Sequence, residues 1–154
     1  MAAREEQVEK VKLSQAASYL LDECRMVLPG VQAIFGFQLI AVFNERFASS
    51  LESLEQRIHF GSLTLVAIAA ALVMTPAAYH RMTDITHVTR HFLALSSRLL
   101  LASMVALAAG LSLDYYVVGY LVFEDRRVAV AAAALLAILT LLWFVFPRSG
   151  RRPG

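Results

Sequence analysis

Cysteine occurs once, at Cys24, so the chain can form no internal disulfide and no cysteine-based zinc or iron–sulfur site. Charge is also scarce. Asp, Glu, Lys and Arg make up 17% of 154 residues, against about 25% in an average soluble domain. The charges nearly cancel, 14 Lys and Arg against 12 Asp and Glu, which leaves no basic excess to hold nucleic acid. Catalytic motifs are missing too: there is no Gly-rich phosphate loop, no nucleophile elbow and no HExxH. The first dozen residues are charged, with no apolar core beside them, so no cleavable signal peptide is expected. These absences point away from an enzyme. No catalytic residue, cofactor or metal is expected.

Apolar sequence is abundant. Hydrophobic residues make up 58% of the chain and the mean hydropathy is +0.61. Such a chain is not disordered, and it has too little polar sequence to cover a soluble core. It reads as an all-α membrane bundle of four transmembrane helices preceded by an amphipathic N-terminal helix. Residues 1–25 form that first helix. Leu13, Ala17, Leu20, Cys24 and Leu28 fall on one stripe, and unbroken apolar sequence is too short there to span, so the segment should lie at the interface or dock on the bundle. The membrane domain covers 26–147, with spans at about 26–47, 60–79, 92–113 and 128–147. Pro29 and Gly30 sit at the start of the first span, where a proline costs least. Residues 148–154 are a basic tail.

The third span has two registers. One covers 92–113 and leaves 115–123 at the interface; the other runs about 99–122 and puts Asp114 inside the membrane. Joining 92 to 123 would give about 48 Å of helix, long for a bilayer, so the first register is adopted. Trp143, Phe144 and Phe146 suit an aromatic belt at the end of the fourth span. Lys and Arg then divide unequally. Arg4, Lys10, Lys12, Arg25, Arg81, Arg90, Arg98, Arg148, Arg151 and Arg152 fall on one side; Arg46, Arg57, Arg126 and Arg127 fall on the other. The positive-inside rule places both termini in the cytoplasm.

Polar residues within the spans are the candidate functional positions. Arg98 stands in a strict i+4 series with Ala94, Ala102, Ala106 and Gly110, a small-residue stripe that lets a second helix approach. Arg98 and Gln38 are read as pore or interface lining, against the simpler view that Arg98 snorkels to the headgroups. Arg25 and Gln32 share one face of the first span; Gln38 and Glu45 share another. His80, His87 and His91 could share a helix face at metal-ligand spacing. Only Asp84 accompanies them, and a polar cytoplasmic loop is the reading adopted. His59 and His80 flank the second span about 30 Å apart, too far to ligate one iron.

The stretch from Leu20 to Gln32, the group Phe35, Gly36, Phe37, Gln38 and Leu39, and the group from Pro76 to Arg81 resemble an uncharacterised bacterial family of short four-helix inner-membrane proteins, a domain of unknown function. The likeness rests on an L-x-E-x-R-x-x-x-x-G-x-Q entry to the first span and a P-x-x-x-H-R exit from the second, over roughly residues 15–120. It implies bacterial inner-membrane residence and no activity. The matching positions are Glu23, Arg25, Gly30, Gln32, Pro76, His80 and Arg81. With both helix ends cytoplasmic, Glu23, Arg25, Gln32, His80 and Arg81 are expected to form a polar cluster on that side. Two functions fit this reading. One is an accessory, structural or interaction subunit acting through helix assembly. The other is a homo-oligomeric channel or transporter for an ion or small solute. The expected partners are the lipid bilayer and further copies of the chain or other membrane proteins. Polar residues paired between helices would favour the first function; a continuous polar path would favour the second.

Overall fold

A computed structural model describes residues 2–83 and 89–149. Six α-helical segments follow one another: α1 (Ala2–Ala41), α2 (Glu45–Ser50), α3 (Ser53–Thr83), α4 (Arg90–Phe123), α5 (Val128–Thr140) and α6 (Phe146–Ser149). A π-helical turn, Leu141–Val145, joins the last two. Four stretches are long and apolar enough to cross a membrane: Val11–Ala41, Ser53–Met82, Arg90–Phe123 and Val128–Ser149. The expected four-span all-α architecture is present.

Two expected boundaries are absent. No break separates an interfacial helix 1–25 from the first span, because α1 runs as one helix of 40 residues with Pro29 inside it. The proline removes one i→i−4 hydrogen bond. The packing stripe nevertheless continues in phase through it: Ala17, Leu20 and Cys24 are buried before it, Val31 and Gln38 after it. Nor does a helix end at 113. α4 continues for 34 residues to Phe123, so 115–123 prolong the same helix. Asp114 lies within this helix, and its side chain meets α1 and α3, as described below.

The core is a three-helix seam. On α3, Glu55, His59, Ser62, Val66, Ala69, Val73 and Pro76 are buried at alternating steps of four and three. On α4, Phe92, Ser96, Ser103, Ala106, Gly110, Val117 and Tyr120 follow the same heptad. That 3.5-residue period keeps one stripe of each helix against its neighbour. Small residues on α4 let the backbones close in. A Cβ at Gly110 would stand 3.0 Å from Val66 Cγ2 and 3.4 Å from the Ser62 carbonyl oxygen. Several hydroxyls along the spans bond carbonyls of their own helices, as in Ser103 to the Leu100 carbonyl and Ser112 to the Ala108 carbonyl.

α5 packs beside α4 and contributes little to the core. In its membrane-crossing stretch only 6% is buried, and Ala132 is the buried residue among the described ones. The turn before it is tight. Glu124 adopts a left-handed conformation (φ 53°) and its N–H bonds the Tyr120 carbonyl. Gly119 is required there, because a Cβ would overlap the Val128 side chain.

Candidate functional site

Polar side chains collect at the end of the seam away from the termini. Gln38 comes from the last turn of α1, Glu55, His59 and Ser62 from the first three turns of α3, and Asp114 from the second half of α4. From the α4 midpoint, Asp114 lies about 11 Å along the axis, within the half-thickness of a bilayer core of about 30 Å.

Gln38 ties the three helices together. Its side chain is 3% exposed, and Nε2 donates to Ser62 Oγ and to Asp114 Oδ2, each at 2.8 Å. Ser62 in turn donates to the Gly110 carbonyl at 2.7 Å. His59 lies between. Its Nε2 is 3.1 Å from the Gln38 main-chain carbonyl, one of the acceptors that the end of α1 leaves without a helical donor. Its Nδ1 is 3.2 Å from Asp114 Oδ1, close but not aligned as a hydrogen bond. The Phe47 ring of α2 covers His59 edge-on at 4.9 Å.

A second layer lies one turn further out. Glu55 is fully buried. Its Oε1 has Tyr116 OH at 3.4 Å and Arg126 Nε at 3.8 Å. Arg126 also bonds Glu52 Oε2 at 2.8 Å, and Tyr120 OH is 3.4 Å from Glu52 Oε1. Glu52, and after it Glu55, hold the pKa of the Arg126 guanidinium above its usual value. Three buried atoms here accept no hydrogen bond: Gln38 Oε1, Glu55 Oε2 and Asp114 Oδ1. All three are acceptors, so the cluster is short of donors.

Of the positions expected to line a pore or an interface, Gln38 is at the centre of this site. Arg98 is exposed on α4, together with Ala94 and Ala102 of its stripe; only Ala106 and Gly110 of that series are buried. At the opposite end, Arg25, His80 and Arg81 meet around a cleft of about 680 Å³ between α1 and α3, walled by apolar groups such as Leu28 and Val73. Glu23 and Gln32 are exposed and lie outside its walls. The ion pair of Arg25 is with Asp22, at 3.5 Å on the surface. His87 and Asp84 fall outside the described residues; His91 is exposed. Among the described residues, no group of three or more His, Cys, Asp or Glu is placed to hold a metal.

Glu55 and Ser62 are not singled out from sequence and His59 is weighed there only as an iron ligand, because the charged stretch before residue 60 reads as a loop and a lone serine in an apolar run gives no signal. The signal was present: these three continue, in register, the heptad of Val66, Ala69, Val73 and Pro76.

Comparison with curated proteins and with solved structures gives no match. A family match covers residues 5–147 and takes in α3, α4 and α5 entire, together with all the residues of both polar places. The chain belongs to the family of unknown function DUF6328.

Proposed function

We propose that this is an integral membrane protein without enzymatic activity, acting through helix assembly as an accessory or structural subunit. One observation carries the reading. The polar side chains inside the bundle bond one another between helices, and the seam beyond them is closed by Val66, Ala69 and Val73. Interhelical bonds of this kind fix packing in a bilayer, where apolar side chains gain little by leaving lipid. The unequal distribution of Lys and Arg supports cytoplasmic termini, and the family resemblance supports a bacterial inner membrane.

The exposed apolar face of α5 is the surface offered for assembly. A photo-crosslinking residue at Val130 or Ala137 should give discrete protein adducts in native membranes. Adducts to lipid alone would overturn the reading.

A second function, passage of an ion, is favoured by the surplus of buried acceptors around Asp114. Purified protein in liposomes separates the two. An accessory subunit gives the flux of protein-free vesicles. A proton or monovalent-cation flux that disappears in Asp114→Asn would establish passage instead.

A further inference from the structure

The contacts of His59 determine how many protons its surroundings require. Nε2 faces the main-chain carbonyl of Gln38 at 3.1 Å. A carbonyl can only accept, so this contact is a hydrogen bond only in a form that carries a hydrogen on Nε2. The other nitrogen, Nδ1, faces Asp114 Oδ1 at 3.2 Å. A neutral imidazole has a single N–H. With that hydrogen on Nε2, Nδ1 would turn a lone pair toward a carboxylate that is itself an acceptor. The two groups would repel each other inside the bundle, since the His59 side chain is 6% exposed and the Asp114 Oδ1 atom is buried, although the Asp114 side chain as a whole is 20% exposed.

One added proton removes the conflict. On Nδ1 it makes an imidazolium beside a carboxylate. On Oδ1 it makes a carboxylic acid facing a neutral ring. Either form gives the pair zero net charge, which a low-dielectric interior favours over an isolated carboxylate. Asp114 Oδ1 is also one of the three buried acceptors with no donor, while Oδ2 already accepts from Gln38. The missing donor and the missing hydrogen are thus at the same place.

We propose that His59 and Asp114 form a proton-binding site within the membrane-spanning bundle, holding one exchangeable proton between Nδ1 and Oδ1. The proton comes from water, reaching the pair through the partly exposed carboxylate of Asp114. Its departure leaves a buried anion against a lone pair and loosens the contact of α3 with α4. Glu45, Arg57, Tyr115, Glu124, Asp125 and Arg127 at this end are exposed; among the described residues there, the remaining ionisable groups are Glu52 and Glu55 of α3, Tyr116 and Tyr120 of α4, and Arg126 of the following turn. They are engaged with one another in the outer layer. From α1 and α2, among the described residues, the pair meets the Gln38 amide and carbonyl and the Phe47 ring.

The test uses the full chain in lipid nanodiscs, with histidine labelled at both ring nitrogens and the His59 signals assigned by their loss in His59→Asn. Near neutral pH, one of two results is expected: two N–H nitrogens on His59, or one N–H together with a protonated-carboxyl infrared band that Asp114→Asn abolishes. A single N–H on His59, at either ring nitrogen, with no such band at neutral pH overturns the proposal. Asp114→Asn is the second arm, since its amide can donate to a neutral Nδ1 and needs no bound proton. Its His59 signals should stay constant over the pH range in which the wild type changes. If they titrate as in the wild type, Asp114 does not share the proton and the proposal fails. Should His59→Asn not fold, the infrared band and Asp114→Asn still decide.

Discussion

Gln38 and Asp114 meet at 2.8 Å, so one amide joins the end of α1 to the second half of α4 inside the span. The same nitrogen serves Ser62 on α3. Gln38→Ala removes both bonds and leaves the part-buried Asp114 carboxylate without a donor on Oδ2 as well as on Oδ1. An interhelical hydrogen bond in a bilayer averages about 0.6 kcal/mol, whereas an unsatisfied buried acceptor costs about 1–3 kcal/mol. The second effect dominates, and a loss of about 2–3 kcal/mol is expected. Unfolding in mixed micelles with increasing SDS measures it. A loss below about 0.5 kcal/mol would show that the amide does not hold the helices together.

The four apolar runs, and with them the helix count, were legible because a bilayer imposes length and hydropathy directly on sequence. The site was not. Glu55 and His59 are polar residues before an apolar run, and hydropathy alone places such residues outside the membrane. Their heptad step to Ser62 and Val66 shows that they face other helices. Asp114 misled in the same way: a lone charge suggested a helix end, but Gln38 and His59 meet it from two other helices. Pro29 suggested a helix start, yet α1 packs equally well on both sides of it.

The small-residue stripe of α4 gives a prediction with an internal control. Sequence spacing groups Ala102 and Gly110 on one i+4 face. The helices pack on a 3.5-residue period, so that face drifts out of the seam, leaving Gly110 buried and Ala102 exposed. Gly110→Ala puts a methyl group 3.0 Å from Val66 Cγ2 and should cost about 1–3 kcal/mol as overpacking. Ala102→Leu should stay within about 0.5 kcal/mol of the wild type. Equal effects in thermal unfolding would place the stripe against a further helix along its whole length.

Gly119 should be less tolerant than Gly110. An added methyl there overlaps Val128, the first residue of α5, rather than meeting a side chain at contact distance. The turn between them is already held by Glu124 in a left-handed conformation, so it has little freedom to shift. Gly119→Ala should therefore displace α5 from α4. Cysteines placed at Val122 and Ala129, in a Cys24→Ser background, should crosslink more slowly in that variant. An unchanged rate would mean that the turn absorbs the methyl group.

The outer layer and the inner pair should respond differently to pH. The Arg126 pKa is raised by Glu52 and Glu55. A cation whose pKa rises on folding contributes stability in full below its unfolded value, and that stability is lost only as pH climbs through the raised value. For an arginine this window lies far above the neutral range. Arg126 therefore keeps its charge throughout the neutral and mildly alkaline range. Arg126→Gln should lower the melting temperature by the same amount at about pH 6 and about pH 9, because Glu55 loses its cation at both. The bound proton of the inner pair behaves otherwise: its contribution is present at the lower pH and lost as pH rises. Wild type and Arg126→Gln should then share one downward slope of melting temperature with pH, and Asp114→Asn should flatten it. A slope that disappears in Arg126→Gln, but survives in Asp114→Asn, would assign the pH response to the outer layer.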